Sequence, residues 1–195
     1  MNRILIEFAH PAIQKSRINR QLIEMVKNLD YVTVNDLYEN YPDFFIDVKK
    51  EQQLLLNHDI IIWHHPFYWY SAPAILIEWM DLVLEHSWAY GEEGRMLEGK
   101  KVMSVITTGG RREVYSKEGR NHHTINEFLV PFKQSVKLCR MEYLPPYVVH
   151  GTHTIKNSEI KAYALQYKKV LNMLGGGEFD KIKMKKALYF NDLIE

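Results

Sequence analysis

Apolar runs of two kinds alternate along the chain. Ile4-Leu5-Ile6-Glu7-Phe8 is a β-rich run ending at Ala9-His10-Pro11, after which Ile18, Leu22, Met25, Val26 and Leu29 recur at helical spacing. Tyr31 to Val34 predicts a second strand, Pro42 to Phe45 a loop, and Val48 to Asn57 a helix carrying Leu55 and Leu56. Asp59-Ile60-Ile61-Ile62-Trp63 is continuously apolar after its first residue and runs out at Pro66, the pattern of a central parallel strand covered on both faces. The alternation continues with a helix from Ala74 to Glu85, a strand from Lys101 to Thr107 and a helix from Thr124 to Leu138. A strand around Tyr143 to His150, broken by Pro145-Pro146, and a helix from Ser158 to Leu174 complete it.

Strands and helices in this rhythm imply right-handed crossovers and an α/β fold: a five-stranded parallel sheet in the flavodoxin-like order 2-1-3-4-5, with helices on both faces. With 195 residues and 46% hydrophobic content, one core is expected over residues 1–174. Gly175-Gly176-Gly177 predicts a helix stop, and the tail 175–195, rich in lysine at Lys181, Lys183, Lys185 and Lys186, reads as a solvated end. In this order the carboxyl ends of strands one, three and four meet, so the loops starting near His10, Pro66 and Thr107 converge.

Charge and cysteine content narrow the classes further. The 25 basic and 24 acidic residues nearly cancel, so no nucleic-acid partner is recruited by long-range attraction. A lone Cys139 excludes an internal disulfide framework and any multi-cysteine metal site, and reads as a small buried hydrophobe. The opening apolar run is too brief for a signal peptide and no segment approaches a span of about 18 apolar residues, which predicts a cytoplasmic protein. Neither G-x-G-x-x-G nor a Walker sequence is present.

The first of the three loops, His10 to Asn19, enters a helix with Ser16 at the cap position. A phosphate there meets backbone N–H groups, the Ser16 hydroxyl, the Asn19 amide and the positive end of the helix dipole, although a capping serine is ordinary by itself. The second loop sets Phe67-Tyr68-Trp69-Tyr70 between Pro66 and Pro73. Four consecutive aromatics cannot all point inward, so some face a cleft or a partner, which favours a planar ligand such as an isoalloxazine ring. The adjacent His64-His65 pair has no carboxylate beside it and its side chains leave opposite faces of a strand, so no metal site is expected. In the third loop, Thr107-Thr108-Gly109-Gly110 to Tyr115, paired glycines permit positive φ and let backbone N–H groups approach a flat ring, though a tight turn would use them too. Convergence of all three raises a flavin site above three ordinary loops.

An ordered set of segments carries a family resemblance. It comprises Ala9-His10-Pro11 with Ser16 and Asn19, Leu37-Tyr38 with Tyr41-Pro42-Asp43-Phe44, and His65-Pro66 through Trp69-Tyr70-Ser71. Glu78-Trp79-Met80-Asp81, Trp88-Ala89-Tyr90-Gly91, Leu97-Glu98-Gly99-Lys100, Thr107 to Gly110 and Leu144-Pro145-Pro146 follow. Together they resemble the quinone-reductase branch of flavodoxin-like proteins, and within it the ancillary oxidoreductases of glutathione-regulated potassium-efflux systems, over residues 3–172. The resemblance implies a homodimer with a flavin at each of two sites near the interface, FMN being favoured with FAD as the alternative, and NAD(P)H as co-substrate. Carried over by motif, the flavin contacts are His10, Ser16, Arg17, Ile18 and Asn19 about the phosphate. About the ring they are Phe67, Tyr68, Trp69, Tyr70, Thr107, Thr108, Gly109 and Gly110. Tyr115 falls where the family has a tyrosine that assists hydride transfer. Asn121 occupies the place of that tyrosine's histidine partner, with His122 and His123 following, so His122 is the second catalytic candidate.

These residues predict an NAD(P)H dehydrogenase of the quinone-reducing kind, passing two electrons by ping-pong hydride transfer to quinones or similar acceptors. The alternative is a regulatory ancillary subunit that binds and activates a membrane potassium/proton antiporter, working at the inner face of the cell membrane. A one-electron carrier fits less well, since such carriers are strongly acidic and this chain has net charge +1. The helix from Ala74 to Glu85 is apolar over more of its circumference than one core-facing stripe needs, which predicts a two-fold homodimer burying its outer side.

Overall fold

A computed structural model describes residues 1–177 and 180–194. Strands β1 (Ile4–Phe8), β2 (Val32–Asp36), β3 (Ile60–Pro66) and β4 (Lys101–Thr107) are parallel, with Ile4 paired to Val32 and Ile60, and Ile60 to Lys101. Two short strands, β5 (Glu142–Tyr143) and β6 (Tyr147–Val149), share the fifth position, both parallel to β4. The order 2-1-3-4-5 is therefore observed. Pro145 and Pro146 have no N–H to donate and interrupt the ladder between the two pieces.

Both faces of the sheet are apolar because alternate residues of each strand supply opposite layers. Ile4, Ile6, Ile60, Ile62, Met103 and Val105 face helices α1 (Arg17–Val26) and α7 (Asn157–Gly176). Leu5, Ile61, Trp63, Val102 and Ile106 face α3 (Val48–Leu56), α4 (Ala74–Val83) and α6 (Val130–Leu138). Cys139 is buried in that second layer.

Two local features depart from the periodicity. The single turn α2 (Leu37–Asn40) forms because the Asp36 carboxylate accepts the Tyr38 and Glu39 N–H groups. The helix expected from Thr124 to Leu138 is split at Leu129 into α5 (Ile125–Phe128) and α6. Pro131, which cannot donate to a preceding carbonyl, fits only in the first turn of a new helix.

A buried polar group lies within the second layer. Glu7 and Glu51 are both fully buried, and the Asn35 amide donates to Glu7 Oε2 at 2.7 Å and to Glu51 Oε2 at 2.8 Å. Glu51 also accepts from Trp79 Nε1 at 2.8 Å and from the Tyr41 hydroxyl at 2.6 Å, whereas Glu7 Oε1 has no partner. Burial first, then the Glu51 charge, hold the Glu7 carboxyl well above the ordinary carboxylate range.

The chain after α7 is not a solvated end. Gly177, at φ 72°, closes α7 in the left-handed region, as the glycine run predicts, and α8 (Lys181–Lys186) follows. Met184, Tyr189 and Phe190 are then buried against the domain. The Phe190 N–H donates to the Pro146 carbonyl at 2.9 Å; the Val148 N–H donates to Asn191 Oδ1 at 2.8 Å, and the Asn191 amide returns a bond to the Val148 carbonyl at 3.1 Å. The lysines stand out in the tail's composition, but its three buried apolar residues determine where it goes.

Candidate functional site

At the carboxyl edge of the sheet the loops after β1, β3 and β4 surround a cavity of about 520 Å³. Ser16 has extended backbone and caps α1, its Oγ accepting from the Asn19 N–H at 3.2 Å and from the Asn19 amide at 3.0 Å. Ser16, Arg17, Ile18 and Asn19 line the cavity, so the first turn of α1, whose N–H groups have no intrahelical acceptor, opens on it. Asn19 acts mainly from behind. Its amide also donates to Thr107 Oγ1 at 3.1 Å, and its Oδ1 lies 3.1 Å from His64 Nε2, which ties the first loop to β3 and β4. His10 lines the cavity too; its Nδ1 accepts the Ala12 N–H at 3.1 Å, and burial lowers the imidazole pKa, favouring the neutral ring. Arg17 donates to Asn157 Oδ1 and the Ile155 carbonyl, joining α1 to the start of α7.

The aromatic loop divides as its sequence requires. Phe67 is buried among Tyr70, Tyr115 and Phe128, whereas Tyr68, Trp69 and Tyr70 are exposed. Trp69 and Tyr70 stand in the left-handed region at φ 52° and 62°, and Trp69 is 94% exposed. Such backbone costs on the order of 1–3 kcal/mol per residue and persists where the surroundings enforce it. Stacking of Tyr70 on Phe128, 4.9 Å between centroids, is one such constraint.

Gly109 and Gly110 do not use the positive φ that the sequence allows them. Instead they let two side chains come close. A Cβ on Gly109 would lie 2.6 Å from His153 Nε2, and one on Gly110 would lie 3.1 Å from the Tyr115 ring. A second cavity, about 420 Å³, shares Phe67, Trp69, Gly109 and His153 with the first and extends to Tyr70, Gly110, Tyr115 and Asn121. Thr107 lines the first cavity; Thr108 is buried behind the glycines and donates to the Gly110 carbonyl at 2.8 Å.

Burial raises the Tyr115 phenol pKa, while Thr108 and the Gly110 amide oppose that rise. The structure does not bring His122 to it. His122 is exposed, held at φ 54° by the turn, and lines neither cavity, whereas Asn121 lines the second and accepts from the Tyr70 hydroxyl at 3.4 Å. The imidazole beside Tyr115 is His150, 5.7 Å between centroids, from the end of β6. His150, Thr152 and His153 were missed by the sequence reading, which took loops from strands one, three and four alone. The signal was present: strand five borders strand four, so the loop leaving it meets the same cleft. His64 and His65 are buried on opposite faces, against Tyr167 and Phe132 respectively.

Fold and site together define a doubly wound α/β protein with a helix start and an aromatic-walled cleft opening together at its switch point. The chain belongs to the family described as having a flavodoxin-like fold, whose sequence pattern matches residues 2–171. It is 42% identical over 165 residues to the glutathione-regulated potassium-efflux system ancillary protein KefG of Erwinia tasmaniensis, covering 85% of this chain and 90% of that one. Among solved structures it is similar to general stress protein 14 of Treponema denticola in complex with FMN, at 35% identity and TM-score 0.85, covering 88% of this chain and 99% of that one. An NADPH-quinone reductase from P. pentosaceus is similar at 32% identity and TM-score 0.79, covering 86% of this chain and 96% of that one. Among the described residues no helix is long and apolar enough to cross a membrane.

Proposed function

We propose that this protein binds FMN and acts as an NAD(P)H dehydrogenase of the quinone-reducing kind, with quinones or similar acceptors as oxidants. The observation that carries this reading is the junction of the two cavities at Trp69 and Gly109, where an anion-cradling end runs into an aromatic-walled end beside Tyr115. The residues fit such a group. A phosphate dianion suits the first turn of α1, Ser16 and Lys15, and the absent Cβ atoms of Gly109 and Gly110 leave the backbone open to a flat ring. When bound, FMN supplies a two-electron centre that takes a hydride from NAD(P)H and gives it to the acceptor in a ping-pong cycle. Trp69 and Tyr70 provide aromatic faces for the ring to pack on, and the Tyr115 hydroxyl donates a hydrogen bond to charge that builds on the ring.

Titration of the purified apoprotein is expected to show roughly one FMN per chain, with riboflavin, which lacks the phosphate, binding about 100-fold more weakly. No binding of FMN overturns the reading. Tyr115→Phe is expected to keep FMN affinity and slow single-turnover reduction by NAD(P)H by up to ~100-fold, the loss seen when one preorganised donor is removed. His122→Ala keeps the wild-type rate.

We also assign the outer face of α4 to contact with a second copy of the chain, since Ile77 and Leu82 are exposed there, beside Glu78 and Asp81. Light scattering that shows a monomer at micromolar concentration excludes it. A second reading, a regulatory subunit docked on a membrane antiporter at the inner face of the cell membrane, is favoured by the 42% identity to KefG. Co-purification with such an antiporter distinguishes it; turnover alone does not.

A further inference from the structure

We propose that His150 is a positioning residue for the Tyr115 hydroxyl, acting through Thr108 and held in place by the C-terminal segment. The inference rests on the role given to Tyr115 above. Thr108 has one hydroxyl proton, directed to the Gly110 carbonyl at 2.8 Å. Its oxygen lies 3.1 Å from His150 Nδ1. A hydroxyl whose proton is already engaged can only accept from a further neighbour, so the imidazole donates and carries its proton on Nδ1. That tautomer leaves Nε2 a bare lone pair, and Nε2 is sealed from solvent without a partner.

The Tyr115 hydroxyl stands over Gly110, 3.3 Å from the place a Cβ there would take, and Gly110 is the residue whose carbonyl accepts the Thr108 proton; the Thr108 side chain and the Gly110 amide pull the phenol pKa down against its burial. As negative charge grows on the phenol oxygen, the Thr108 O–H turns from the Gly110 carbonyl toward it, while the His150 N–H keeps hold of the Thr108 oxygen. Thr108 contributes one bond rotation and keeps its proton, as His150 keeps its own; the only proton that shifts is that of Tyr115, toward the acceptor to which the phenol donates. Without the imidazole, the Thr108 oxygen loses that fixed donor and the phenol loses a prealigned one.

The surroundings keep the ring neutral and still. The Tyr115 and Tyr189 rings both pack against it, at 5.7 and 5.6 Å between centroids. The charged groups that face it are Arg112, Glu113 and Asp192; burial first and then Arg112 push the imidazole pKa down to about 4, against the two carboxylates. Arg112 lies 4.7 Å over the Tyr189 ring and is clamped by both Asp192 oxygens at 3.0 and 3.2 Å. Asn191 grips both polar backbone atoms of Val148, two residues before His150. The tail thus roofs the imidazole.

NMR of the apoprotein tests this without flavin turnover. Imidazole nitrogen spectra of the wild type are expected to show a neutral His150 with its proton on Nδ1 from about pH 5 to 8. Thr108→Val releases that tautomer preference. In ring-carbon titrations, Tyr115 is expected to become about tenfold less acidic in Thr108→Val and in His150→Phe, with no further change in the double variant. Tyr189→Ala admits water and lets His150 titrate within that pH range. A wild-type His150 protonated on Nε2, or a Tyr115 titration unmoved by both substitutions, overturns the proposal. Should a variant fail to fold, the wild-type tautomer decides. FMN titration is separate: its failure removes the proposed function and leaves the coupling standing, whereas failure of the coupling leaves FMN binding untouched.

Discussion

A carboxyl group inside a sheet is costly unless it keeps its proton or gains several donors. Glu51 gains three donors and Glu7 one, with Glu7 Oε1 unpartnered, so Glu7 is the group that holds a proton in the folded protein. Its folded-state pKa lies above the unfolded value, near 4.3 for a free glutamate, so the folded state binds the proton more tightly. Stability is then highest below about pH 4.3 as far as this group is concerned, and declines as pH rises toward the folded pKa, by up to about 1.4 kcal/mol per pH unit. Glu7→Gln imitates the protonated acid. Relative to wild type, its urea midpoint is expected to climb between about pH 4.5 and 8; parallel midpoints would refute the assignment of the proton to Glu7. Glu7 is the only ionisable residue of β1, and the sequence pattern passed over it as one letter in an apolar run. Its partners were not legible either, because Asn35 and Glu51 arrive from β2 and α3 only once the sheet is assembled. Tyr115 was singled out by family resemblance, and what the structure adds is that it packs against Gly110 of its own loop.

Element by element, the same division holds. Strands β1, β3 and β4 were readable because burial on both faces leaves nearly unbroken apolar runs, whereas the break between α5 and α6 depends on a proline inside a pattern that stays periodic across it. The start of α1 makes the sharpest test, because a cap and an anion site there ask different things of residue 16. Ser16→Ala removes the side-chain acceptor and is expected to cost about 1 kcal/mol in denaturant unfolding. It also weakens FMN binding. Ser16→Asp caps as well as serine does and favours the positive helix end, so stability is kept. Yet a carboxylate beside a phosphate dianion repels it, and FMN binding is expected to be lost. Undiminished FMN affinity in Ser16→Asp would place the phosphate somewhere other than the start of α1.

At the scale of the whole molecule, the sheet's two edges are closed differently. β2 forms one edge; at the other, β6 would present the Val148 N–H and carbonyl unpaired if Asn191 did not satisfy both. The family match ends at residue 171, so this closure comes from a segment beyond it. Alternation of strands and helices made the sheet order legible, but nothing periodic marks a tail whose few apolar residues are spaced for one particular groove. Ending the chain after Gly177 removes Phe190, fully buried, along with Tyr189 and Met184. Each such side chain contributes ~1.5–3 kcal/mol on burial, offset by the freedom the segment regains, so a net loss of about 2–4 kcal/mol is expected. For a domain of this size that is a fall in Tm of ~5–15 °C. The exposed β6 edge should also make the shortened protein associate on heating, at a rate that rises with concentration. Because Phe190 touches the fold through packing and Asn191 through hydrogen bonds, two point variants separate the causes. Phe190→Ala should reproduce most of the lost stability, and Asn191→Ala most of the association. An unchanged Tm in the shortened chain would mean that the tail's packing adds nothing beyond the entropy it consumes.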